Sequence, residues 1–164
     1  MIEIRAAKEQ DMEAVLSIYN YEVMHGTATF DVVPRTMEEQ MDWFRHHDGG
    51  RHPVLVAVED GRVVGFASLS AYRDRAAYDA TAELSMYVDA AYRRRGIARA
   101  LLQALFAGAR ERGHIRTVIS VIGGENTASL ALHREFGFRE VGTFHEVGEK
   151  FGQLLDTHLM QLML

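Results

Sequence analysis

The stretch from Glu83 to Ile122 constrains the fold more than any other part of the chain. Glu83 to Val88 reads as a strand. A short loop follows it, and Gly96 to Arg112 then reads as a long amphipathic helix. Ile97, Leu101, Leu105 and Ala109 recur one turn apart, with Ala98, Leu102 and Phe106 beside them, so one face of that helix is a wide apolar stripe. Gly113 ends it, as the residue that adopts a left-handed cap at least cost. Val118 to Ile122 is an apolar run of strand length and is expected in the centre of a sheet. A helix with one apolar stripe, set between two apolar strands, has to lie on a sheet.

The remaining segments supply the rest of that sheet. Ile2 to Arg5 is a short strand, and Asp11 is expected to cap a helix carrying Met12, Val15, Leu16, Tyr19 and Val23 at spacings of three and four. Thr27 to Val33 is a strand-like loop or an edge strand, broken by Pro34. Thr36-Met37-Glu38-Glu39 has the capping-box pattern and opens a helix through Met41 and Phe44 that ends before Gly49. Val54–Val58 and Val63–Ala67 form a hairpin about Asp60-Gly61, since tight primed turns need positive φ. Tyr72 to Asp79 is polar and reads as a loop. Asn126 caps a short helix through Leu130, Leu132 and Phe136, stopped by Gly137, and two strands close the chain at Val141–Val147 and Asp156–Met163. No repeat or linker is visible, so residues 1–164 are expected to form a single α/β domain: one mixed, twisted sheet with helices on both faces.

Composition narrows the partners. The net charge of −5 argues against nucleic acid, whose binders carry basic surfaces. No run approaches the ~20 apolar residues of a membrane span, and the N-terminus lacks the apolar stretch of a signal peptide. The chain has no cysteine, which removes disulfides, thiolate metal sites and a thiol nucleophile and fits a cytoplasmic location. The eight histidines show no metal-ligand spacing; His46 and His47 are adjacent and diverge, so no metal is expected.

The chemistry is concentrated in Tyr92-Arg93-Arg94-Arg95-Gly96-Ile97-Ala98, between a strand and the long helix. A helix N-terminus offers unpaired N–H groups and about half a positive charge, which suits a phosphate. Gly96 and Ala98 let a ligand approach the backbone, and the arginines attract an anion. The other reading of these residues is a solvated basic turn. The order Gly-x-x-x-x-Gly-Lys-Ser/Thr is missing, so the loop is not that of an ATP or GTP enzyme.

Arg93-x-x-Gly96-x-Ala98 after a strand resembles the acetyl-CoA signature of the GNAT superfamily of N-acetyltransferases. Tyr78-Asp79-Ala80-Thr81-Ala82-Glu83, Ser85–Val88, Glu125–Ser129, Leu132-His133, Phe136-Gly137-Phe138 and Gly148–Gly152 are similar to its phosphinothricin and methionine sulfoximine acetyltransferases, as are Thr29-Phe30 and Asp156-Thr157. That resemblance covers nearly the whole chain. It implies direct acetyl transfer from acetyl-CoA to the α-amine of a small amino acid or analogue, by a homodimer.

By the same resemblance, Met86, Tyr87 and Val88 lie along the acetyl group and the pantetheine arm, with backbone groups of Met86 and Val88 as contacts. Arg93, Arg94, Arg95, Gly96, Ile97 and Ala98 hold the pyrophosphate, and Asn126 contacts the coenzyme. Arg94 departs from the pattern, standing where many relatives carry a small residue. Glu83, an acid within an apolar strand, is the candidate general base, because burial raises a carboxyl pKa toward neutrality; its other reading is a surface glutamate on an edge strand. His133 is a second catalytic candidate, or a packed residue that orients substrate or helix. Arg73, Arg75 and Tyr78 are placed at the acceptor pocket with Phe30 as an apolar wall, since guanidinium forks suit a carboxylate or phosphinate; the alternative is a solvated loop. Acetylation of a polyamine, aminoglycoside or protein N-terminus, and a non-catalytic CoA-binding module, are the rival functions. Two arginines argue against a polyamine pocket, which should be acidic.

Overall fold

A computed structural model describes residues 1–164. Seven strands and four helices follow one another as β1 (Ile2–Ala6), α1 (Met12–His25), α2 (Met37–Arg45), β2 (Val54–Glu59), β3 (Arg62–Ala71), β4 (Thr81–Val88), α3 (Ile97–Arg112), β5 (Thr117–Gly123), α4 (Thr127–Glu135), β6 (Arg139–Lys150) and β7 (Gln153–Met163). All seven strands join one sheet in the order β1-β2-β3-β4-β5-β7-β6. Every neighbouring pair is antiparallel except β4 and β5. This is the mixed α/β sheet that the sequence predicts.

Local signals decide most element ends. The Thr36 hydroxyl accepts from the Glu39 N–H at 3.1 Å, and the Glu39 carboxylate accepts from the Thr36 N–H at 3.3 Å, so the capping box forms. Asp60 and Gly61 take φ of 50° and 76°, as a type I′ turn requires. Gly113, at φ 72°, closes α3.

Two apolar layers sandwich the sheet. Leu101, Leu102, Leu105 and Phe106 of α3 pack with Val64, Leu69, Leu84, Val118 and Met160 on one face. On the other, Val15, Ile18, Tyr19 and Val23 of α1 meet Val56, Val63 and Phe66, with Trp43 and Phe44 of α2 beside them. This second layer reaches only β2, β3 and β4, so the same face of β5, β7 and β6 has no helix over it. No helix is long and apolar enough to cross a membrane.

Some expectations change. Asp11 does not cap α1. Its carboxylate accepts from the Lys8 N–H at 2.7 Å and pairs with Arg5 at 2.7 Å, because a buried charge needs a charged partner more than the helix needs a cap. Ile18, rather than Leu16, completes the buried stripe of α1. Of the two readings of Thr27 to Val33, the loop is the one observed. A single helical turn, Ala76–Tyr78, sits inside the polar loop before β4. The two final strands run longer than their apolar cores indicate, since a β-hairpin ladder also recruits polar residues.

Candidate active site

The sheet opens where its two parallel strands meet. β4 and β5 pair only at Thr81 with Thr117, Ala82 with Val118 and Glu83 with Ile119. Beyond that point β4 stays on β3 as far as Val88, and β5 stays on β7 as far as Gly123. A wedge therefore opens through the sheet, and the β4 backbone groups that face it have no strand partner, which makes them available to a ligand.

A cavity of about 260 Å³ occupies the wedge, lined by Glu83 to Tyr87 on β4, Ser120 to Gly123 on β5, and Phe30, Asn126, Ser129, His133 and Thr157. It continues into a groove of about 880 Å³ that runs to the start of α3. Ala28, Met86, Tyr87, Asn126 and Ser129 line both. The groove ends on Tyr92, Arg93, Arg94, Gly96, Ile97 and Ala98.

The geometry of that end suits an anion. Gly96 caps α3 in the left-handed region, φ 77°, with no side chain over the helix end. Its carbonyl accepts from Ala100, so the N–H groups of Ile97, Ala98 and Arg99 have no partner within the helix. A Cβ on Gly96 would meet nothing within 4 Å, so the approach is open. Arg94 also has positive φ, 64°, a conformation that costs a side-chain-bearing residue about 1 kcal/mol; a small residue, above all glycine, is less strained here. The three arginines diverge. Arg93 reaches the Glu22 carboxylate at the groove wall. Arg94 faces the groove without an ion pair. Arg95 turns away, forked onto Glu59 at 2.7 and 3.0 Å and stacked over Tyr92. Its side chain therefore does not line the groove. Arg99 and Glu135 face each other across the groove at 2.9 Å, a bridge between α3 and α4 that spacing alone does not reveal.

Glu83 lies on an inner strand, not an edge, with β3 on one side and β5 on the other. Burial pushes its carboxyl above the ordinary value, against a smaller opposing pull from Arg73. His133 is buried on α4. Its Nδ1 donates to the Ser129 carbonyl at 2.6 Å, so its Nε2 accepts from the Ser120 hydroxyl at 2.8 Å. Burial holds its pKa below the usual imidazole range, which keeps it neutral. Asn126 caps α4 by accepting from the Ser129 N–H at 3.2 Å.

Phe30 forms a wall of the cavity and is bracketed by two glycines. A Cβ on Gly123 would stand 2.6 Å from its Cε1, and one on Gly148 would stand 2.6 Å from its Cδ2. Buried Lys150 braces the same loop by donating to the carbonyls of Thr29 at 2.8 Å and Glu22 at 3.3 Å. Arg73, Arg75 and Tyr78 do not line the cavity; they lie on the exposed Tyr72–Asp79 loop, where Tyr72 and Tyr78 meet edge to face at 5.4 Å. Of the three, only Arg73 acts electrostatically on Glu83. Ser129 and Thr157 in the cavity fall within stretches that resemble the acetyltransferase family, whereas Ser120 there, and Tyr21, Glu22 and His25 in the groove, carry no sequence pattern that singles them out.

Residues 17–138 match the model of the acetyltransferase (GNAT) family. The chain belongs to that family. As a GNAT protein it is an N-acetyltransferase. It is 37% identical over 162 residues to an L-methionine sulfoximine/L-methionine sulfone acetyltransferase of Pseudomonas aeruginosa, covering 98% of this chain and 94% of that one. A phosphinothricin acetyltransferase of Sinorhizobium meliloti, solved in complex with acetyl-CoA, superposes with a TM-score of 0.95 at 36% identity, over 99% of this GNAT chain and 88% of the other. A ribosomal-protein-alanine N-acetyltransferase of Brucella melitensis superposes with a TM-score of 0.93 at 41% identity, over 99% of each chain.

Proposed function

We propose that the protein transfers an acetyl group from acetyl-CoA directly to the α-amine of a small amino acid or analogue of the methionine sulfoximine or phosphinothricin type. The observation that carries this reading is the continuity of the wedge beside Glu83 with the groove that ends on the free N–H groups of α3. The donor chemistry fits the coenzyme. Ile97, Ala98 and Arg99 N–H groups suit a diphosphate, with Arg93 and Arg94 nearby, and the β4 backbone groups between Leu84 and Val88 that face the wedge suit the amides of a pantetheine arm. Bound acetyl-CoA supplies an activated acyl group and a thiolate leaving group.

The chain's own residues do the rest. Glu83, with its raised pKa, accepts the proton of the incoming ammonium, acting alone or through a water. Unpaired N–H groups on the opened edge of β4 hydrogen-bond to the oxygen where negative charge develops. His133 acts as a positioning residue, since both of its ring nitrogens are engaged by Ser120 and Ser129 and it ties β5 to α4 across the wedge. Phe30 closes the acceptor end, and Arg73 offers its fork to the acceptor carboxylate. The protein works as a cytoplasmic homodimer, in which a second copy covers the face of β5, β7 and β6 that has no helix over it.

A second reading, acetylation of a protein N-terminal amine, draws support from the Brucella enzyme's likeness. A turnover screen of amino acids, their sulfoximine and phosphinate analogues, an alanine-led peptide, polyamines and aminoglycosides separates the two. Run beside it, Glu83→Gln is expected to keep acetyl-CoA affinity by calorimetry and to lose about 100-fold or more in rate at neutral pH, the usual contribution of a positioned base. Full rate in that variant removes Glu83 from the mechanism.

A further inference from the structure

Of the three arginines in the loop before α3, only Arg93 both lines the groove and is held by another side chain. Its Nη2 donates to Glu22 Oε1. Glu22 sits in the last turn of α1, is 8% exposed and lines the same groove. Its other carboxylate oxygen, Oε2, lies over the backbone of Gly26, where a Cβ would stand 1.8 Å from it. Gly26 has φ −125° and ψ 176°, extended values that any residue adopts. The backbone therefore does not demand glycine at position 26. The space does, because the Glu22 carboxylate fills the place where a side chain would start.

A buried carboxylate needs opposing charge. Arg93 supplies one cation and Lys150 the other. Lys150, 3% exposed, donates to the Glu22 carbonyl at 3.3 Å and to the Thr29 carbonyl at 2.8 Å, and Glu22 and Asp31 are the acids that act on it. The Glu22 charge is thus balanced within the protein. Arg93 is different, since half of its side chain is exposed. A guanidinium carries five N–H donors, so one given to Glu22 leaves the others for an anion in the groove. A long side chain that is free in solvent has to be ordered when it binds, and that ordering weakens binding. Held by Glu22, the Arg93 side chain is ordered beforehand.

We infer that Glu22, seated over Gly26, is a positioning residue that sets the Arg93 guanidinium for the coenzyme diphosphate. The inference rests on the groove taking acetyl-CoA with its diphosphate at the start of α3. Glu22 acts only through Arg93, because a carboxylate repels a phosphate and cannot itself hold one. Gly26 serves the same end by leaving room for the carboxylate.

Gly26→Ala and Glu22→Asp test this without altering net charge. The first puts a methyl group where the carboxylate lies, and the second draws the carboxylate back by one methylene. Calorimetry with acetyl-CoA is run on wild type, on each variant, on Arg93→Met and on each variant combined with Arg93→Met. Each of the two variants alone is expected to weaken binding about tenfold, the scale of ordering one long side chain. In the Arg93→Met background neither is expected to weaken it further, whereas damage to packing acts there just the same. The two variants change different residues, so either one that folds gives the reading. Undiminished affinity in either folded variant, or an equal loss with and without Arg93, overturns the inference. Wild type that binds no acetyl-CoA brings down the groove reading itself. Wild type that binds it, with Arg93→Met binding equally well, brings down only the role of Glu22 and Arg93.

Discussion

Gly123→Ala tests the acceptor wall with a single methyl group. The new Cβ would stand 2.6 Å from Phe30 Cε1 and 3.0 Å from the Thr27 carbonyl oxygen. Carbon atoms pack at about 3.5 Å or more, so the ring must retreat by about 1 Å. It cannot slide straight back, because Gly148 already sits against the opposite edge with no room for even a Cβ. The ring has to turn out of its slot and into the cavity beside Glu83. Overpacking of this kind costs about 1–3 kcal/mol of stability, and a misplacement of about 1 Å near reacting atoms costs on the order of 100-fold in rate. We expect kcat/KM for the amino acid acceptor to fall by about 10- to 100-fold, measured by thiol release at saturating acetyl-CoA, while coenzyme affinity by calorimetry holds. Adding Phe30→Ala removes the clash with the ring and leaves only the tight contact with the Thr27 carbonyl, so the double variant should lie close to Phe30→Ala alone, as coupled neighbours do. A Gly123→Ala enzyme that loses stability in that range but keeps its acceptor kcat/KM would show that Phe30 does not bound the acceptor site. A double variant carrying the full penalty of both changes would refute the clash as its cause.

Two further outcomes follow from the uncovered face and from the buried histidine. Val121, Phe144 and Met163 are exposed on the side of β5, β7 and β6 that lacks a helix layer, so Phe144→Glu is expected to shift sedimentation from dimer to monomer, and a monomeric wild type at micromolar concentration would dismiss the dimer. His133 has a folded pKa below its ordinary 6.5, so the unfolded chain binds more protons in the window just beneath that value. Stability should rise with pH through that window, fall as the pH is lowered through it, and level off once both states are protonated. His133→Gln should flatten the dependence of Tm on pH there, and an unaltered slope would mean that His133 does not stay neutral.

The sequence by itself determined the parts whose physics lies within a few residues. Thr36 and Glu39 form their capping box because both partners sit within one helical turn. Asp60-Gly61 makes its hairpin turn because only φ decides it. The stripe of α3 and the bare terminus at Gly96 are written in spacing and in the absence of a side chain, so this helix and its open start were legible before any fold was known. Tertiary structure alone decided the rest, because it depends on which distant strands pair and where the pairing stops. The wedge exists because β4 and β5 part after Glu83 and Ile119, a register between residues far apart in the chain that no local pattern encodes. The same long-range packing turns Arg95 onto Glu59 and away from the groove, engages both nitrogens of His133, and sets Phe30 between Gly123 and Gly148. A charge or a ring in the sequence states what it can bind; only the packed chain decides whether a nearer partner has already claimed it.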